Sequence, residues 1–140
     1  MHIWTLHKDA VKRFRYLHPW VFSNELQHSP KGIEAGQLVE LRNPEGEFLA
    51  YGYGHPNSLI SFRILSREKS QQPNTNWAIG KLIAAHKLRA LSGLDHASHR
   101  LVFSEADGIP GLIIDRFITS DQKNIFVVQP HTAGADALLP

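Results

Sequence analysis

The 140-residue chain has no cysteine, which excludes disulfides, zinc–thiolate sites and thiol nucleophiles together. Long apolar runs are missing too: Gly111 to Asp115 and Asn124 to Pro130 are the longest, far short of the ~20 residues a membrane helix needs. Met1-His2-Ile3-Trp4-Thr5 has neither a basic leader nor a small-residue cleavage site, so secretion has no support and a cytoplasmic, membrane-free protein is expected. Internal repeats and low-complexity tracts are absent as well. What remains is an ordinary globular composition, 42% hydrophobic and 20% charged, at a length of one domain or one small domain plus part of another.

Charge of either sign is scarce in excess: 15 basic against 13 acidic residues leave a formal net charge of +2. The basic surplus is local. Lys8, Lys12, Arg13 and Arg15 stand against Asp9 alone before Phe22, whereas from Gln71 onward six basic residues balance six acidic ones.

Hydrophobic patterning predicts an α+β protein. Ile3 to His7 alternates like a half-buried strand, and Asp9 is placed to cap a short helix through Val11, Phe14 and Leu17 with Pro19 as its stop. Leu38–Leu41 and Phe48–Tyr51, joined by Asn43-Pro44-Glu45-Gly46, read as a β-hairpin, and Leu59–Leu65 as a further strand. The region to residue 70 is therefore a small, mostly β unit with one helix. Residues 71–75 are polar and form the expected linker. From 76 to 140, Ile79, Leu82, Ile83 and His86 predict an amphipathic helix with Lys81, Lys87 and Arg89 off its apolar face. Three short strands follow, and residues 132–140 look like a helix beginning, so an incomplete second α/β unit is expected.

Several constellations carry residue types suited to chemistry. Lys12-Arg13-Phe14-Arg15-Tyr16-Leu17-His18-Pro19-Trp20 mixes cations with aromatics, the combination nucleic acid rewards through phosphate contacts and base stacking. Lys12, Arg13, Arg15, Tyr16 and His18 are the candidate RNA-binding residues, against a bland reading of a solvated helix face with Phe14, Leu17 and Trp20 in the core. Gly52-Tyr53-Gly54 lacks the third glycine and the helix start of a phosphate loop, so these glycines are expected at a bulge or close strand approach. His96 and His99 fall in an expected loop without a carboxylate cluster, which argues against a metal. Glu105, Asp107 and Asp115 could serve acid–base chemistry, but the glycines and proline of Glu105 to Gly111 point to a structured turn.

His18-Pro19-Trp20-Val21-Phe22-Ser23 after a basic helix, together with Arg100-Leu101-Val102-Phe103-Ser104-Glu105-Ala106-Asp107-Gly108-Ile109-Pro110-Gly111-Leu112-Ile113-Ile114-Asp115-Arg116-Phe117, resembles the bacterial large-subunit ribosomal RNA cytosine-C5 methyltransferases that begin with a PUA domain. The hairpin and Gly52 to Arg63 follow that family's order. The resemblance implies a PUA-like, mostly β barrel with a helix that binds RNA, 23S ribosomal RNA as partner, and then the opening of a central domain. In such proteins a domain binding S-adenosylmethionine comes later in the chain. C5 methylation also calls for a soft nucleophile, usually a thiolate, and this chain has no cysteine. The expectation is an RNA-binding, non-catalytic portion with no cofactor or metal of its own. The rival from another class is a protein-interaction or self-association module using the apolar surface of the unfinished second unit; a small standalone enzyme built on Glu105, Asp107 and Asp115 is the weakest reading.

Overall fold

A computed structural model describes residues 1–138. The first unit runs β1 (His2–Thr5), α1 (Lys8–Arg15), β2 (Trp20–Phe22), β3 (Leu38–Arg42), β4 (Phe48–Gly54) and β5 (Ile60–Ser66), in one five-stranded sheet ordered β1-β3-β4-β5-β2. All pairings are antiparallel except β1 with β3. The predicted hairpin is β3–β4: Gly46 N–H donates to the Asn43 carbonyl at 3.0 Å, and the Asn43 amide bonds the Glu47 carboxylate and backbone N–H at 2.7 Å each. In place of the expected barrel the five strands form a sheet with β1 and β2 at its edges, and the segments that follow these two strands meet in a bridge, Leu6 to Leu26. Phe14 of α1 packs there with Leu6, Val21, Leu41 and Phe62.

Two features of α1 depart from expectation. Its N-cap is His7, without a side-chain capping bond, and Asp9 lies inside the first turn, where a negative charge still complements the helix dipole. The helix also stops at Arg15, before Pro19, because Leu17 adopts a left-handed φ of 63°. Arg67 holds that ending by donating to the carbonyls of Phe14 at 3.1 Å and His18 at 3.0 Å.

The second unit comprises α2 (Thr75–Leu91), β6 (His99–Phe103), β7 (Leu112–Ile118), β8 (Asn124–Pro130) and the short α3 (Ala133–Asp136). Asn74 caps α2, accepting the Trp77 N–H at 2.9 Å. The strands form an antiparallel sheet, β6-β7-β8. His99, expected in a loop, opens β6. Leu139 and Pro140, at the end of the expected terminal helix, lie outside the described residues.

The buried face of α2 coincides with the predicted one only at Leu82, and His86 is exposed. Ile79 and Ile83 are 47% and 49% exposed, while Ala85 is buried and Trp77 and Leu82 pack against Val102, Ile109 and Leu112. Arg89, assigned to the polar side, is on the packed side and grips Asp107 with two bonds of 2.6 Å. Arg89 Nε also donates to the Arg100 carbonyl of β6 at 3.2 Å, so this cation ties the helix to β6 and to the turn that follows it. Gly52 does sit at a bulge and a close approach, since a Cβ there would lie 2.2 Å from the Arg63 carbonyl. No helix among the described residues is long and apolar enough to cross a membrane.

Candidate nucleic-acid interface

Helical periodicity divides α1 into two faces. Ala10, Val11 and Phe14 turn inward, and Lys8, Lys12, Arg15 and Tyr16, at spacings of three, four, seven and eight, turn outward. The outward residues border a groove of about 610 Å³ whose far wall is the β3–β4 turn, with Glu45 and Glu47. Those acids repel phosphate from the far wall, so the anion-accepting side is α1 itself. Tyr16 is 77% exposed, presenting a ring of the kind on which bases stack. Lys8 is the member of this face the sequence reading left out of its candidates; its i,i+4 spacing to Lys12 was the available signal.

Arg13 and His18 are placed differently from Lys12, Arg15 and Tyr16. Arg13 is half-buried and bidentate on Glu25, with Nε to Oε1 at 2.6 Å and a second bond from Nη2 to Oε2. Its Nη2 also reaches the Trp20 carbonyl at 3.2 Å, and its guanidinium lies 5.2 Å from the centre of the Phe22 ring. The Glu25 carboxylate accepts the Phe22 N–H at 2.7 Å as well, so this cation joins α1 to β2. His18 packs edge-on to Trp20 and beside Phe22, with Nδ1 within 3.2 Å of the Trp20 backbone.

The half-buried Trp20 faces the second unit. Its indole Nε1 donates to Glu105 at 2.7 Å, Arg63 Nη1 donates to the same oxygen at 2.9 Å, and Ser104 bonds the other oxygen. Burial by itself raises the Glu105 carboxyl, yet the bonds from Ser104, Trp20 and the backbone, with the Arg63 charge, hold it below its ordinary value. Tyr53 O–H donates to the Pro110 carbonyl and meets Thr132 Oγ1 at 3.1 Å. Burial pushes its phenol up to about 12, against the lowering contributions of the Thr132 bond and Arg63. The three candidate acids are thus separately engaged: Glu105 with Arg63, Asp107 with Arg89, Asp115 with Arg100. They do not converge on a shared site. Among the described residues no group of three or more His, Asp or Glu could hold a metal.

Residues 5–67 match the family model described as a PUA-like domain. The chain is 35% identical over 134 residues to Ribosomal RNA large subunit methyltransferase I of Aliivibrio fischeri, covering 94% of this chain and 33% of that protein. It is also 35% identical to the protein of the same name from Photobacterium profundum, over 92% of this chain and 32% of the other. The chain therefore spans about a third of the length of the curated relatives it matches. Two solved structures share its fold at 16% identity. One, described as a candidate SAM-dependent methyltransferase from Streptococcus mutans, has a TM-score of 0.77 over 99% of this chain and 35% of its own. The other, a candidate methyltransferase complexed with SAH, has a TM-score of 0.78 over 99% and 34%.

Proposed function

We propose that the chain is the RNA-binding N-terminal portion of an S-adenosylmethionine-dependent large-subunit ribosomal RNA cytosine-C5 methyltransferase, docking 23S ribosomal RNA for a catalytic domain outside these residues. The observation that carries this reading is the outward stripe Lys8, Lys12, Arg15 and Tyr16 on a unit whose residues 5–67 match a PUA-like domain. Lys8, Lys12 and Arg15 bind phosphates and Tyr16 stacks a base. Arg13 and His18 hold α1 and β2 in the arrangement that displays them. The division into an RNA-binding domain at 1–70, a linker at 71–75 and a second unit from 76 is supported by two separate sheets joined through residues without regular structure. The chain by itself carries no methyl transfer in this reading.

Fluorescence anisotropy with 23S ribosomal RNA fragments tests it. Mostly electrostatic binding gives a dissociation constant of roughly 10⁻⁴–10⁻⁶ M at physiological salt, tightening steeply as salt is lowered. Absence of binding to every fragment at low salt rejects the reading.

A second reading, association through protein contacts, is favoured by β8. Among the described residues this edge strand pairs only with β7, and Ile125, Phe126, Val127 and Val128 are each at least 41% exposed. Successive strand residues point to opposite faces, so neither face of β8 is covered. Concentration-dependent sedimentation that persists in high salt identifies self-association of this kind.

A further inference from the structure

The two units enclose a second polar recess, at the opposite end of β4 from the α1 groove. The β3–β4 turn borders the groove, and Gly54, the last residue of β4, borders the recess. The recess measures about 250 Å³, several times the ~30 Å³ share of a water molecule. His55, Ser58, Arg63 and His131 line it beside the mutually bonded Tyr53 and Thr132, and among the described residues no Asp or Glu does.

Its donors are only partly engaged by the protein. Arg63 is held by one nitrogen on Glu105 and by its stack 5.2 Å from the centre of the Trp20 ring. Its Nε and Nη2 have no partner among the described residues. The Nδ1 of His55 accepts the Asn57 N–H at 3.2 Å, which leaves Nε2 to carry the proton of the neutral ring. His131 has an exposed imidazole, while its backbone N–H is fixed on the Gly111 carbonyl at 2.7 Å. These donors come from three places in the chain: the end of β4, β5, and the segment after β8. Donors from three segments around one recess can serve the several oxygens of a tetrahedral oxyanion. Because Glu105 balances the Arg63 charge, the recess offers directed donors in place of a diffuse positive field.

We infer that the recess between the units binds a backbone phosphate of RNA through Arg63, His55 and His131, as a second anchor beside α1. The inference rests on the RNA reading above. β4 has seven residues, so the two anchors are separated by roughly 20 Å at ~3.3 Å per residue, which makes the seam between the units part of the docking surface.

The test uses the full chain, inorganic phosphate and a 23S ribosomal RNA fragment that binds it. Titration with phosphate should shift the amide resonances of His55, Ser58 and His131 before those of α1. His131→Asp, at an exposed position, should weaken RNA binding roughly three- to tenfold and lower the salt slope by about 1 with an unchanged melting temperature, while His131→Lys should restore the affinity. If RNA binds and His131→Asp has no effect, the second anchor is overturned and the α1 reading stands. If no RNA binds although phosphate shifts the same amides, the recess is a site for free phosphate, and both the anchor and the RNA reading fail.

Discussion

The indole nitrogen of Trp20 and a carboxylate oxygen of Glu105, 85 residues apart in the chain, are joined by a 2.7 Å hydrogen bond. The same oxygen receives Arg63, so one acid on the second unit ties two strands of the first. The Glu105–Gly111 turn is thereby both a local structure and the seam between the units.

Acid should loosen that seam. The Glu105 carboxyl is held below its unfolded value near 4.5, so its contribution to stability is full above that pH and is lost as pH falls through the lower folded value. Melting curves between pH 7 and pH 3 should show Glu105→Gln less stable than wild type at neutral pH and the difference shrinking towards pH 3. Parallel curves for the two proteins contradict this role.

Tyr53 responds in the opposite direction. With its folded pKa raised to about 12 from 10.0, the unfolded chain loses the phenolic proton first, so stability falls as pH rises above about 10 and levels off beyond 12. Tyr53→Phe removes the donor to Pro110 and should cost about 1–3 kcal/mol at neutral pH, while abolishing the phenolate absorbance step near pH 12. A titration with that step intact in the variant assigns it to another tyrosine.

Arg13 and Lys12 are neighbours in sequence with separate effects. Arg13→Ala leaves Glu25 with its Phe22 bond but without its cation, and should destabilise the fold by about 1–3 kcal/mol. Lys12→Ala should leave the melting temperature within a degree or two and weaken RNA binding with a shallower salt dependence. Equal losses of stability for the two variants disprove the division of the helix into a tie and a contact face.

The turn itself depends on two left-handed glycines. Gly108 has φ 74° and a Cβ there lies 3.1 Å from the flexible end of Lys81, whereas Gly111 has φ 79° and a Cβ lies 2.3 Å from Thr132 Oγ1. Gly108→Val should destabilise by about 1–3 kcal/mol through backbone strain. Gly111→Ala, despite its smaller side chain, should cost more, because steric overlap with Thr132 adds to the strain. Chemical denaturation gives the ranking directly, and the reverse order removes Thr132 as the cause.

What the sequence determined is local chemistry. The hairpin follows from Asn43-Pro44-Glu45-Gly46 between alternating strands, α1's inward face from Val11 and Phe14, and the turn from Gly108, Pro110 and Gly111, because each depends on residues within a few positions of one another; Leu17, expected on that inward face, lies past the helix end and is exposed. Lys12, Arg15 and Tyr16 were legible as a local mix of cations and aromatics, which neither set them apart from Arg13 nor included Lys8. Tertiary structure decided what those groups meet. Arg13 resembles Lys12 until Glu25 arrives from beyond β2; of the expected stripe Leu82 keeps its place in the core while Ile79 and Ile83 lie outside it, with Ala85 and the Arg89–Asp107 pair on the packed side; and Trp20 lies at the seam only because Glu105 is brought to it. An ion pair or a hydrogen bond across tens of residues leaves no periodic trace in the chain, since its partner is selected by packing and not by spacing.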